Sequence, residues 1–160
     1  MKTITIREAC IEDAPSILQF IIDLAIYEKA QNEVKTSLVE LEESLFSKHS
    51  TAHAIICLVD EKPIGFAVYF YNFSTWLGKN GLYLEDLYVS PDHRNLGVGK
   101  VILKHLANLA LEKKCERFEW SVLDWNQSAI EFYHSVGAVA QDEWIKYRLS
   151  GERLTQFALS

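Results

Sequence analysis

Cysteine, proline and methionine are scarce: the 160 residues include three Cys, three Pro and one Met. Cys10, Cys57 and Cys115 are far apart and odd in number, and no Cys-x-x-Cys pair occurs. That excludes a disulfide framework and a cysteine zinc site, and predicts reduced thiols in a cytoplasmic protein. No apolar run approaches membrane-spanning length. The opening Met1-Lys-Thr-Ile-Thr-Ile-Arg7 lacks the longer apolar core of a secretory signal, so the Asn-x-Ser sequons at Asn72 and Asn126 have no expected use. Basic residues are in deficit, 16 Lys+Arg against 22 Asp+Glu, a formal net charge of −6. A generic nucleic-acid surface would need clustered Lys and Arg, whereas a cationic ligand is compatible with this balance. No linker, repeat or low-complexity stretch interrupts the chain, and 49% of it is hydrophobic, so one domain over 1–160 with a real core is expected.

Residues 3–7 alternate as a strand. Asp13 can cap a helix with Pro15 in its first turn, and Ile17, Leu18, Ile21, Ile22, Leu24 and Ala25 form a helical stripe. Thr36 or Ser37 can cap a second helix through Leu38, Leu41, Leu45 and Phe46. The β-prone runs 54–59 and 64–71 flank Asp60-Glu-Lys-Pro63, a hairpin signal, and a loop over 72–81 leads to a strand over 82–89. A helix from about 97 to 114 and a strand over 118–122 follow. Asn126, Gln127 or Ser128 can cap a short helix that ends near Gly137, and the alternating 144–149 reads as a last strand. The predicted order is β-α-α-β-β-β-α-β-α-β: a single α/β domain with a mixed central sheet flanked by helices.

The richest stretch is Leu82-Tyr-Leu-Glu-Asp-Leu-Tyr-Val-Ser-Pro-Asp-His-Arg-Asn-Leu-Gly-Val-Gly-Lys100. An apolar strand carrying Glu85 and Asp86 runs through a turn into Arg94-x-x-Gly97-x-Gly99, which opens a helix. Free amides and the positive end of a helix dipole make an anion site there, and glycines let a phosphate approach the backbone. A dinucleotide fingerprint is excluded because Ile102 stands where its third glycine would be. Period-two alternation puts Asp86 on the strand face opposite Glu85. His49 and His53 have metal-helix spacing, but no glutamate follows His49 and the pair straddles a helix-to-strand boundary, so no metal is expected.

Arg94-Asn-Leu-Gly-Val-Gly99 resembles the Arg/Gln-x-x-Gly-x-Gly/Ala signature of the GNAT N-acetyltransferase superfamily. Ile6-Arg7, Leu24-Ala-x-Tyr27-Glu28, Gly65-Phe66-Ala67, Trp76-x-Gly78-Lys79, Leu82–Asp86, Trp125-Asn126 and Phe132-Tyr133-x-x-x-Gly137-Ala138 extend the likeness to its spermidine/spermine (diamine) N-acetyltransferase branch over nearly the whole chain.

The resemblance implies acetyl transfer from acetyl-CoA to a primary amine of a small cationic substrate (a diamine, polyamine or thialysine-like amine), by direct attack in a ternary complex. It makes Glu85 the proton acceptor, acting through water, and Tyr133 the acid for the departing thiolate, with the acyl donor wedged where two central strands splay. It assigns the cofactor to Leu87, Tyr88 and Val89, to Arg94, Asn95, Leu96, Gly97, Val98, Gly99 and Lys100 around the pyrophosphate, and to Asn126, Gln127, Ser128, Ala129 and Tyr133. Arg94 and Lys100 are expected to add positive charge there. It nominates Tyr27, Glu28, Glu85, Glu119, Trp120, Ser121 and Asp142 for the amine. Polyamine enzymes carry an acid two positions before the loop tryptophan, where this chain has Ser74, so a shorter amine is expected. A homodimer through the aromatic C-terminal segment is also implied. The rival readings are a GNAT acting on a protein N-terminus or lysine, and a non-catalytic acyl-CoA sensor.

Overall fold

Five strands form one sheet in the order β1-β2-β3-β4-β5: β1 (Ile4–Glu8), β2 (His53–Val59), β3 (Lys62–Ser74), β4 (Lys79–Val89) and β5 (Phe118–Trp120). β1 to β4 pair antiparallel and β5 joins β4 in parallel, so the sheet is mixed. Helices α1 (Ala14–Tyr27), α2 (Leu38–Phe46), α3 (Val98–Glu112), α4 (Gln127–Ser135) and α5 (Gly151–Leu159) complete the chain. The computed structural model describes residues 2–160, and Met1 lies outside them. These residues fall into two units, 2–121 and 122–160. No helix among them is long and apolar enough to cross a membrane.

In the first unit β2 is buried on both faces, which is why it reads as a continuous apolar run. Ile17 and Phe20 of α1 and Leu41 of α2 cover Ala54, Ile56, Leu58, Phe66 and Tyr88 on one side. Phe20 lies 5.9 Å from the Phe66 ring and 5.6 Å from the Tyr88 ring. Ile55 and Cys57 point the other way, and α3, with Val98, Ile102 and Leu106 buried outside that cluster, packs against β1 and β4. Ser37 is the cap of α2: its hydroxyl accepts from the Glu40 amide, and Glu40 reaches back to the Ser37 amide at 2.8 Å. Asp13 does not cap α1. Its carboxylate accepts from both Arg7 guanidinium nitrogens (2.7 and 3.0 Å) and from the Cys10 amide, tying β1 to the helix start.

The hairpin between β3 and β4 is longer than its sequence suggests. Most of 72–81 is strand, and only 75–78 turns, with Gly78 at φ +64 and its amide bonded to the Ser74 carbonyl at 2.8 Å. The Ser74 hydroxyl accepts from the Leu77 amide at 3.2 Å. His53 begins β2, and its ring stacks 5.3 Å from that of Tyr69.

In the second unit Asn126 caps α4, its side chain accepting from the Ala129 amide at 3.4 Å. The expected last strand over 144–149 is not formed. Those residues are exposed, up to 90% at Tyr147, and join no ladder among the described residues. Alternation prepares a segment for pairing but supplies no neighbour, and an unpaired strand is not stable alone. A helix that the sequence pattern did not announce, α5, follows and ends the described order as β-α-α-β-β-β-α-β-α-α.

Candidate active site

The site is built where β4 breaks its register. Val68 pairs with Asp86 and Tyr69 with Leu84, so Glu85 is one residue too many on β4 and forms a β-bulge. The bulge cancels one step of the alternation on which the expectation for Asp86 rests, and pairing with Val68 fixes its face instead. Asp86 lies beside Val68 and shares a face with Tyr88, on the α1 side, where Glu28 follows the last residue of α1. Glu85 is exposed. Burial, then the charges of Glu85 and Glu28, push the Asp86 carboxyl from an ordinary 3.8 up to about 6. Glu28 is also raised, by burial. Three carboxylates from two elements thus share one region, where a cation would relieve their mutual repulsion.

The bulge has a second consequence. A bulged strand bends and twists more strongly, and β5 stays beside β4 only for Leu82–Leu84, opposite Phe118–Trp120. β5 therefore stops at Trp120, not Val122. From Glu85 to Val89 no strand among the described residues lines that edge of β4, and the Val89 carbonyl there accepts from Arg94 instead. Glu119 pairs with Tyr83 and shares its face, whereas Trp120 pairs with Leu84 and lies with Phe118 on the α3 side. Ser121 hydrogen-bonds the Tyr83 hydroxyl at 2.7 Å. The amine residues nominated in this unit are therefore divided: Glu28, next to Tyr27, and Glu85 both act on Asp86, Glu119 shares the Tyr83 face, and Trp120 lies on the other face of the sheet.

After β4, a 3-10 turn over Pro91–Leu96 leads to Gly97 at φ +72, a left-handed conformation that favours glycine, and α3 starts at Val98. α3 has no side-chain cap and no acid in its first turn, so its dipole end is uncompensated. A Cβ placed on Gly99 would meet nothing within 4 Å, and Gly99 has no positive φ. The fold itself does not require glycine at 99, where it costs about 0.5–1 kcal/mol against alanine; a ligand pressed against the backbone would. These features fit a pyrophosphate. Val98 is buried and Asn95, Leu96 and Lys100 are exposed, so Val98 can offer only its backbone.

Arg94 is exposed, and its side chain makes three contacts. Its Nε donates to the Val89 carbonyl at 2.8 Å, and its guanidinium lies 5.1 Å from the Tyr27 ring centroid and 5.3 Å from that of Tyr88. It lies within cation–π distance of both tyrosine rings. The ring of Tyr88 is a contact of Arg94 that the motif does not announce, since the motif points only to that residue's backbone.

In the second unit, Tyr133 is half-buried on α4 with its ring 5.8 Å from Phe132, Asn126 is engaged as the α4 cap with Gln127, Ser128 and Ala129 in the first turn, and Asp142 is exposed.

A β4 edge without a strand partner beyond Leu84, an uncapped glycine entrance to α3 and a carboxylate cluster at a strand bulge all lie on β4 or directly after it in the chain. The acetyltransferase (GNAT) family matches residues 19–138. Thialysine N-epsilon-acetyltransferase of Sus scrofa is 36% identical, with 99% of each chain covered. Spermidine/spermine N(1)-acetyltransferase-like protein 1 of Homo sapiens is 32% identical over 99% of this chain and 24% of its own length. Among solved structures, an integron cassette protein from the mobile metagenome of V. cholerae superposes with a TM-score of 0.82 at 30% identity, covering 98% of both chains. The chain belongs to the GNAT acetyltransferase family and is an N-acetyltransferase.

Proposed function

We propose that the protein transfers acetyl from acetyl-CoA to a primary amine of a small cationic substrate, a short diamine or thialysine-like amine, by direct attack in a ternary complex, and that 1–160 acts as one catalytic domain. The observation that carries the amine reading is the Glu28, Glu85 and Asp86 cluster at the bulge. The similarity to thialysine and spermidine/spermine-like acetyltransferases supports it.

The first-turn amides of α3 and the backbone of Asn95–Lys100 hold the pyrophosphate, and the edge of β4 at Leu87–Val89 takes the pantetheine amides. Glu28, Asp86 and Glu85 bind the substrate as its ammonium. Glu85 then accepts a proton through water, the freed nitrogen attacks the acetyl carbonyl, and Tyr133 gives its phenolic proton to the leaving thiolate while the acylated nitrogen releases its surplus proton, which restores the phenol. Ser74 is spent on its own turn and supplies no charge for a longer polycation.

The experiment is a panel of amines with acetyl-CoA and a thiol-detecting dye, run on wild type and Tyr133→Phe. Short diamines and thialysine-like amines should rival spermidine, and Tyr133→Phe should lose turnover more than acetyl-CoA affinity. Preference for spermine over every short amine sinks the substrate assignment, activity on peptides alone moves the enzyme to protein acetylation, and full turnover by Tyr133→Phe returns that tyrosine to a packing role.

The three free cysteines suit a reducing compartment, and we place the protein in the cytoplasm. A homodimer fits the exposed, unladdered 144–149 and the exposed Leu154 and Phe157 of α5, which a second copy would cover. Sedimentation at micromolar concentration should give twice the 18.3 kDa chain mass; a species of single-chain mass rejects the dimer.

A further inference from the structure

We propose that Arg94 is a positioning residue that ties the amine side of the site to the cofactor loop, acting through Tyr27. The inference rests on the acetyltransferase reading above. Three contacts carry it. The Nε–H of Arg94 is committed to the Val89 carbonyl, the last residue of β4. Its guanidinium faces the Tyr88 ring, which is packed on Phe20 in the core and does not move freely. The guanidinium also faces Tyr27, the last residue of α1, and Glu28 is the next residue in the chain. Arg94 itself belongs to the turn that leads to Gly97. One side chain therefore spans the loop that receives the anion, the end of β4 and the end of α1 that presents a carboxylate to the cluster.

A planar, weakly hydrated guanidinium can stack on rings while its Nε–H donates in the plane; a lysine ammonium cannot do both. If Arg94 acted as a simple positive charge on a phosphate, lysine would replace it and the amine would not notice. If it positions Tyr27 and Glu28, lysine restores only the charge.

The test is steady-state kinetics on full-length protein, with each substrate varied at saturation of the other. Arg94→Lys should keep the acetyl-CoA KM near wild type and raise the amine KM about threefold to fivefold, the scale of an exposed cation–π contact. Tyr27→Leu should raise the amine KM as well, and the double variant Tyr27→Leu with Arg94→Lys should raise it little further, because the two act as one unit. An Arg94→Lys enzyme with an unchanged amine KM, or a double variant whose two effects multiply, overturns the positioning role while leaving the acetyltransferase intact. Wild type that binds no acetyl-CoA removes the acetyltransferase reading, and the inference with it.

Discussion

Gly97→Glu is expected to abolish the stabilisation that acetyl-CoA gives the wild-type protein, while Gly97→Ala retains part of it. At a ligand concentration 100 times Kd, mass action adds about 2.7 kcal/mol, or about 5–10 °C in Tm for a chain of this size. Gly97 sits at φ +72, and a Cβ added there would meet no atom within 4 Å, so the Cβ of neither variant clashes. Both carry the cost of a left-handed L-residue, about 1–2 kcal/mol, and both should melt earlier without ligand. Only Gly97→Glu places a negative charge at the uncapped start of α3, where the pyrophosphate is proposed to bind. Thermal melts with and without acetyl-CoA separate the two effects. A folded Gly97→Glu protein that is stabilised as strongly as wild type would remove the cofactor assignment.

Glu85→Gln should lower turnover by about 10²-fold or more near neutrality, the usual scale for a lost general base, and recover part of it at high pH. A free alkylamine has a pKa near 10, so most of it enters as the cation and its deprotonation is the demand on the site. Asp86 adds a separate limb. Its carboxyl is raised to about 6, so the site gains a negative charge as pH rises through that value, and kcat/KM for the amine should climb there. Asp86→Asn should erase that lower limb and leave the upper one. The sign for stability is opposite. The folded protein holds a proton on Asp86 between 3.8 and about 6 that the unfolded chain has released, so stability falls as pH rises across this window, and Asp86→Asn flattens the fall. Equal turnover by wild type and Glu85→Gln at every pH would remove Glu85 from the mechanism.

Local signals are legible wherever the cause is local. The Ser37 and Asn126 caps and the Gly97 turn each depend on a side chain and amides within three residues, and the strands and helices of the first unit follow their periodicities. The bulge also leaves a trace: aliphatic residues fall at 82 and 84, then at 87 and 89, and that slip of phase is the extra residue. The ring contacts of Arg94 are hidden because its partners, Tyr27 and Tyr88, come from different elements, and one motif says nothing of which rings will stand beside it. The segment 144–149, which joins no ladder among the described residues, shows the same limit from the other side, since a strand is defined by its neighbour.

The bulge at Glu85 makes β4 one residue longer than the stretch of β3 it runs beside. Asp86, Leu87, Tyr88 and Val89 all owe their faces to that single added residue. Shortening the strand there would do more than delete a carboxylate: it would turn Asp86 and Tyr88 away from α1 and drive Leu87 and Val89 into their places. New acceptor preferences can thus arise by substitution around Glu28, Glu85 and Asp86, but insertions and deletions are confined to places such as the exposed turn 75–78, where no register is at stake. The chain length of β4 is the part of this site that divergence has least freedom to alter.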